Sequence, residues 1–428
     1  MQAPLANVTA TAPVEVAVAW MPMMGADSVA YHEKNVAGRG DDHAGQALAY
    51  YGSRGETPLT WGRSGRSTLG VDGPVTSEAY RAVFGPGGAR LPRSGAELVA
   101  TRRPGLELVV SPPKSVALLG VIGRPEDMHT ICDAERDATM AYLDKMVHKM
   151  VRSSGGRRGE NQTRTKTAGL TWATSRHATT RAGDPQIHDH VLIANVVWMR
   201  DDKGGWKALD SAFVRDHLHA ATAIGRLAAA RRAVEFGYRI ELDFGRSERL
   251  GGWQITGIPQ KAMDVFSKRS REIDAKAGPG ASYTARNVAA RLDRAAKTNE
   301  PVADLVARWR GELAAAGFEP GPTLRTGSRR DPVPTGAARP TQRGTPGDGD
   351  SRNVGLRRPL TEVKVFDRAD VIVAVAPQIY GHTVEELERA VDAVIADSRC
   401  IPLLGLAGAR SQAYATAAVL AAEEHIAA

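Results

Sequence analysis

From Pro320 to Gly355 the chain reads PGPTLRTGSRRDPVPTGAARPTQRGTPGDGDSRNVG, rich in Pro, Gly, Arg and Thr and poor in apolar residues. A stretch of this kind cannot bury enough surface to offset its ordering entropy, so it reads as a flexible linker. An ordered arm lying along DNA is the alternative. The linker divides the 428 residues into a body of about 300 and a tail of about 70. The expected division is 1–318, 319–358 and 359–428. In the tail, Val363 to Ala376 reads as strand-like. TVEELERAVDAVIADSRC reads as a helix opened by Thr383, with Glu386 three residues on. Ile401 to Leu406 and Ala417 to Glu424 follow as further apolar segments.

Composition excludes several classes. With only Cys132 and Cys400, neither a disulfide framework nor a cysteine-based zinc site can form. The apolar run Val14 to Met24 is shorter than the about 20 residues a membrane helix needs, and no basic segment precedes it as in a signal peptide. No membrane insertion is therefore expected, and a cytoplasmic location is the expectation. The net charge of +8 suits a polyanionic partner without demanding one. No G-x-x-x-x-G-K-[ST] motif occurs, so no ATP motor is recognisable.

Within the body, Leu106 to Ser111 reads as a strand ended by Pro112 and Pro113. Glu126 to Val151 reads as a helix whose Met128, Ile131, Ala138, Tyr142, Met146 and Met150 recur at helical spacing, a stripe suited to core packing. Leu170 to Arg176 and His188 to Met199 read as strands, joined by the turn chemistry of Arg181 to Pro185. His217 to Phe236 and Ile258 to Ala275 read as two more helices. The expected fold is α+β, with a largely antiparallel central sheet flanked by helices.

The chemistry concentrates in RHATTRAGDPQIHDHVLIAN. Side chains at i and i+2 of a strand share a face, so His188 and His190 project together while Asp189 points away. His177 closes the preceding strand, and the ten residues between it and His188 can form a hairpin that adds a third imidazole. Three neutral imidazoles with open positions suit a divalent ion acting as a Lewis acid. A plain turn beside a surface histidine is the bland alternative.

Arg176 to His190 is similar to the three-histidine signature of the MobF, or TrwC-type, conjugative relaxases of the HUH endonuclease superfamily. That pattern runs Arg-His-x-Thr-Ser-Arg-x-x-Asp-Pro-x-x-His-x-His, and Thr180 stands here in place of its serine. GLELVVSPPKSVALLG (Gly105 to Gly120), GGWKALDS (Gly204 to Ser211) and FSKRSREI (Phe266 to Ile273) resemble further family motifs in the same order. Together they cover roughly residues 25 to 280.

The resemblance implies site- and strand-specific nicking and rejoining of single-stranded or hairpin DNA at a plasmid origin of transfer. A tyrosine attacks the phosphodiester and leaves a 5′-phosphotyrosyl intermediate and a free 3′-hydroxyl. Tyr31 resembles the family's first tyrosine, with His32 where a second often follows. Tyr50, in the pair Tyr50-Tyr51, resembles the later pair and is the other candidate nucleophile. Glu107 stands where the family carries an aspartate, able to accept the tyrosine proton or to orient a metal ligand. Arg181 resembles the arginine beside the metal. The metal implied at His177, His188 and His190 is magnesium or manganese, with zinc or nickel able to bind.

Arg152 to Arg181 holds seven basic residues against the single acid Glu160. Arg152, Arg157, Arg158, Arg164 and Lys166 are candidate phosphate contacts, as are Lys268, Arg269 and Arg271. Trp61, Trp172 and Trp206 can stack on bases or serve the core. Accessory relaxosome proteins and a coupling protein of a secretion system are implied partners. Family members usually continue into a helicase, so residues 359–428 look like the start of such a domain in a shortened form. The competing readings are a replication initiator of the same superfamily, a non-catalytic DNA-binding protein on the same scaffold, and a three-histidine hydrolase using metal-bound water.

Overall fold

The computed structural model describes residues 24–33, 36, 56–62, 69–147, 167–200, 204–243, 252–278, 280–292, 300, 302–318, 365–403 and 412–427. Its centre is a four-stranded sheet in the order Thr60–Trp61, Trp172–Thr179, Pro185–Ala194, Gly105–Val110. Every strand pair among the described residues is antiparallel. This is the expected α+β architecture, and no helix among the described residues is long and apolar enough to cross a membrane.

Period-two patterning separates the two faces of the sheet. Leu106, Leu108, Val110, Trp172, Val191 and Ile193 are buried against Met140 and Leu143 of helix Pro125–Val147 and Ala220, Ile224 and Leu227 of helix Leu218–Glu235. Each large apolar side chain buried this way contributes about 1.5–3 kcal/mol. The two helices approach closely because Gly225 has no side chain: a Cβ there would collide with the Thr139 hydroxyl. On the other face, Ala173, Leu192, Ala194 and Trp61 pack with Met24, Leu59, Tyr80, Val83 and Phe84. That second cluster occupies only one end of the strands, leaving the end with the histidines for other chemistry.

The methionine stripe is core where it is described, with Met128, Ile131 and Tyr142 buried and Met146 packed beside them; Met150 lies outside the described residues. Two elements differ from expectation. The helix expected over 258–275 is two helices, Gln260–Val265 and Lys268–Ala277. Phe266 turns inward and is buried at the break, and Ser267 opens the second helix. The strand-like reading of 363–376 is corrected: among the described residues of that stretch only Phe366–Asp367 is strand, and Arg368–Val375 is α-helix. Asp367 accepts hydrogen bonds from the amides of Ala369 and Asp370, and the Asp370 carboxylate accepts one from the Asp367 amide, a capping box that starts a helix in spite of the valine-rich run. The expected Thr383–Glu386 capping box opens helix Val384–Ile395. Phe366, Val371, Ile372, Val375, Leu387 and Val391 join the cluster under helix Leu218–Glu235, so this C-terminal unit rests on the helical side of the sheet.

Candidate active site

Strands Trp172–Thr179 and Pro185–Ala194 form a hairpin in which His177 lies opposite His188 and Ser175 opposite His190. Directly opposed residues share a face, so three imidazoles meet: ring centroids are 5.3 Å apart for His177–His188, 4.4 Å for His177–His190 and 5.1 Å for His188–His190. One nitrogen from each lies within 4.8 Å of the others, a donor set that fits a divalent ion. His177 is buried, and His188 and His190 are half-buried, open on one side.

Neighbouring acceptors set the rings. His188 Nδ1 lies 2.8 Å from the Gln186 carbonyl, and His190 Nδ1 lies 2.8 Å from Glu107 Oε1. Each acceptor favours a proton on Nδ1, which would turn Nε2 toward a bound ion, the usual way an outer partner fixes a ligating imidazole. Glu56 reaches the third ring, with Oε2 3.8 Å from His177 Nε2.

The turn between the strands is fastened from far along the chain. Thr180 N–H donates to the Asp184 carbonyl, and Gly183, at φ +73°, donates to the Thr180 carbonyl. Trp309 Nε1 and Arg308 donate to the Gly183 carbonyl at 2.8 and 3.3 Å. Asp184 Oδ2 accepts from the Arg269 amide in the first turn of helix Lys268–Ala277. Half-buried Lys114 donates to the Pro185 carbonyl at 3.0 Å, and burial pushes its ammonium down to about 8, with Asp184 opposing. The sequence reading missed these fasteners, although the Asp-Pro pair and the FSKRSREI segment were both in view.

Helix Ala26–Glu33 lays Tyr31 beside the imidazoles, its ring centroid 6.4 Å from His177 and 6.3 Å from His190. Glu107, diagonal to His190 across the sheet, is held between several donors. Ser28 Oγ donates to its Oε2 at 2.8 Å, and buried His32 brings Nε2 within 3.1 Å of its Oε1. Burial alone would raise the Glu107 carboxyl, but its contacts with His190 and His32 outweigh that and hold it well below the usual carboxylate range. For His32, burial lowers the imidazole pKa and Glu107 partly offsets it.

The other expected residues are distributed as follows. Arg181 sits half-buried in the hairpin turn. Tyr50, Arg152, Arg157, Arg158, Arg164 and Lys166 lie outside the described residues. Lys268 pairs with Glu312 at 2.6 Å, Arg269 with Glu272 at 3.1 Å and the Ala290 carbonyl at 2.9 Å, and Arg271 donates to the Asp264 carbonyl. Arg176, counted in the basic run, points to the opposite sheet face and joins buried Asp189 at 2.7 Å. Trp61 stacks on Phe84 and Trp172 is core, so these two are packing residues; Trp206 is half-buried, edge-on to Trp198.

A sheet-borne histidine triad beside a helix-borne tyrosine is the frame of a relaxase, and the comparisons agree. A model of the TrwC relaxase family matches residues 25–316, so the chain belongs to that family. The multifunctional conjugation protein TraI of Escherichia coli is 30% identical over 388 residues, and that of strain K12 is 29% identical; each alignment covers 84% of this chain. The chain spans only 21% of the length of these relatives. Metal-bound and metal-free structures of the conjugative relaxase TrwC in complex with oriT DNA match 70% of this chain and 99% of theirs, at 22% identity and TM-scores of 0.55 and 0.54. At that identity the likeness speaks for the fold.

Proposed function

We propose that this chain nicks and rejoins one strand of DNA at an origin of transfer, with Tyr31 as the first nucleophile. The observation that carries the reading is the placement of the Tyr31 ring about equally near His177 and His190. Solved TrwC complexes contain oriT DNA, one of them a 27-mer comprising the recognition hairpin and the cleavage site. That substrate is the one we infer for this chain.

When bound, a divalent ion at His177, His188 and His190 would supply Lewis-acid polarisation of a phosphate oxygen. Magnesium or manganese is the proposed working ion, with zinc or nickel binding more tightly under the usual affinity order. Tyr31 Oη attacks the phosphorus, the bond to the 3′-oxygen breaks, and the tyrosine proton is taken up by solvent or the departing oxygen. The products are a 5′-phosphotyrosyl ester and a free 3′-hydroxyl. The ester is close in energy to the bond it replaces, so the reverse attack rejoins the strand without ATP. Glu107 orients His190, and Arg181 balances charge on the phosphate.

Arg152, Arg157, Arg158, Arg164 and Lys166 are assigned to phosphates, with Lys268, Arg269 and Arg271 as a second track. Tyr50 is the candidate for a later transfer. We place the relaxase domain at 1–318, a linker at 319–358 and a further, helicase-like segment at 359–428. The protein acts in the cytoplasm, with relaxosome proteins and a coupling protein as partners.

Incubation with single-stranded oriT DNA and Mn2+ should give a covalent 5′ adduct that maps to Tyr31. Tyr31→Phe should remove most of it. An intact adduct in Tyr31→Phe, lost instead in Tyr50→Phe, would overturn the assignment of the nucleophile.

A further inference from the structure

Ser28, Tyr31 and His32 share two turns of one helix. Ser28 and His32, four residues apart, lie on the same helix face and both reach one carboxylate. Glu107 Oε2 takes the Ser28 hydroxyl at 2.8 Å, while Oε1 faces His32 Nε2 at 3.1 Å and His190 Nδ1 at 2.8 Å. Tyr31, next to His32 along the helix, has its ring edge-on to the His32 imidazole at 4.9 Å.

His32 is the unusual member. It is fully buried, its Nδ1 has no hydrogen-bond partner among the described residues, and its Nε2 meets Glu107 close in distance but poorly aligned for a hydrogen bond. A buried polar ring left in this state is costly and calls for a reason. Core packing does not supply one, since an apolar ring would fill the space without the cost. His32, Glu107 and His190 also form a second cluster with metal-ligand spacing. The Glu107 Oε1–His190 Nδ1 contact is a hydrogen bond, however, so these two atoms are taken up by each other.

Resting on the relaxase reading above, we propose that His32 and Ser28 are positioning residues that latch the nucleophile helix to Glu107. Glu107 then acts as a single hub, with one side gripping the helix that carries Tyr31 and the other orienting a metal-ligand imidazole. The latch registers nucleophile and metal centre to each other through one side chain. Reaching distance matters in such a step, because a misplacement of about 1 Å can cost about 100-fold in rate.

Two readouts test this. The first is backbone amide hydrogen exchange of residues 26–33 in the metal-free protein, which needs no catalysis. His32→Phe and Glu107→Gln should each speed exchange across this helix about tenfold, as expected for loss of a contact to a charged group. The second is single-turnover adduct formation at saturating Mn2+. His32→Phe should slow it about 10- to 100-fold while calorimetry still shows one Mn2+ bound. His32→Gln, which can restore a donor near the position of Nε2, should recover most of the rate. In a Glu107→Gln background, His32→Phe and Ser28→Ala should add little, because all three act through the same carboxylate. Additive losses, unchanged exchange in the helix, or a second Mn2+ lost on His32→Phe would each overturn the latch. If the wild-type protein forms no adduct, the relaxase reading fails, and the exchange experiment still decides the latch.

Discussion

The two faces of one hairpin make opposite use of the same strands. On one face, His177, His188 and His190 turn nitrogens toward a common point. On the other, Arg176 and Asp189, which lie opposite each other in the register, close a buried ion pair at 2.7 Å, joined by Asp133 and Arg136 from helix Pro125–Val147. Burial opposes a charge on Asp189, yet Arg176 and Arg136 hold its pKa below the usual value. On the helical face Arg176 and Asp189 thus compensate each other's charge within the fold. The histidine face gathers three imidazoles at metal-ligand spacing, and the alternation of a strand lets a single segment do both.

The sharpest break of this contrast is His188→Ala. Removing one imidazole should lower Mn2+ affinity, measured by calorimetry, by about 100-fold or more, while the thermal midpoint of the metal-free protein changes little. A large fall in that midpoint would show the histidine face to be structural as well.

Arg176→Ala should act the other way round. It leaves Asp189 buried with weakened compensation, and breaking a buried pair costs about 3–5 kcal/mol. Denaturant unfolding should show that loss, and Arg176→Met combined with Asp189→Leu should recover much of it. Full stability in Arg176→Ala would mean that Arg136 alone suffices.

A smaller effect concerns pH on the helical face. Glu135 is buried on helix Pro125–Val147 and burial pushes its carboxyl up to about 7, with Arg226 opposing and Asp189 adding to the rise. Its folded pKa exceeds its unfolded one, so the folded state holds the proton more tightly. The associated stability is complete below the unfolded value and is lost as pH rises towards about 7. Glu135→Gln should flatten the stability profile over that range and raise stability at pH 8, read from denaturant midpoints. An unchanged slope between pH 5 and pH 7 would show that Glu135 is not the titrating group.

Much of the site was legible in the sequence because strand geometry is periodic. His188-x-His190 implies a shared face, and the spacing back to His177 implies a hairpin. The packing role of Trp61 and Trp172 was not decidable from sequence, since a tryptophan looks the same in a core as on a stacking platform. The internal pairing of Arg176 could have been read from its neighbours. Strand alternation that turns His177 one way must turn Arg176 the other, opposite the displaced Asp189. Helix Arg368–Val375 was missed because a short valine-rich run has no period of its own, and the capping aspartate decides between strand and helix. The contact of Ser28 and His32 with Glu107 joins positions 79 residues apart in one case, beyond any local pattern.

The fastening of the hairpin turn also bears on the order in which the protein is made. The strands that carry the three imidazoles leave the ribosome well before two of the groups that hold their turn. Trp309 closes on Gly183 across 126 residues, and the Arg269 amide closes on Asp184 across 85. A nascent chain ending before Phe266 therefore carries every ligand and none of these clamps. The turn between the histidine strands is therefore fully fastened only late in synthesis, once Trp309 has been added.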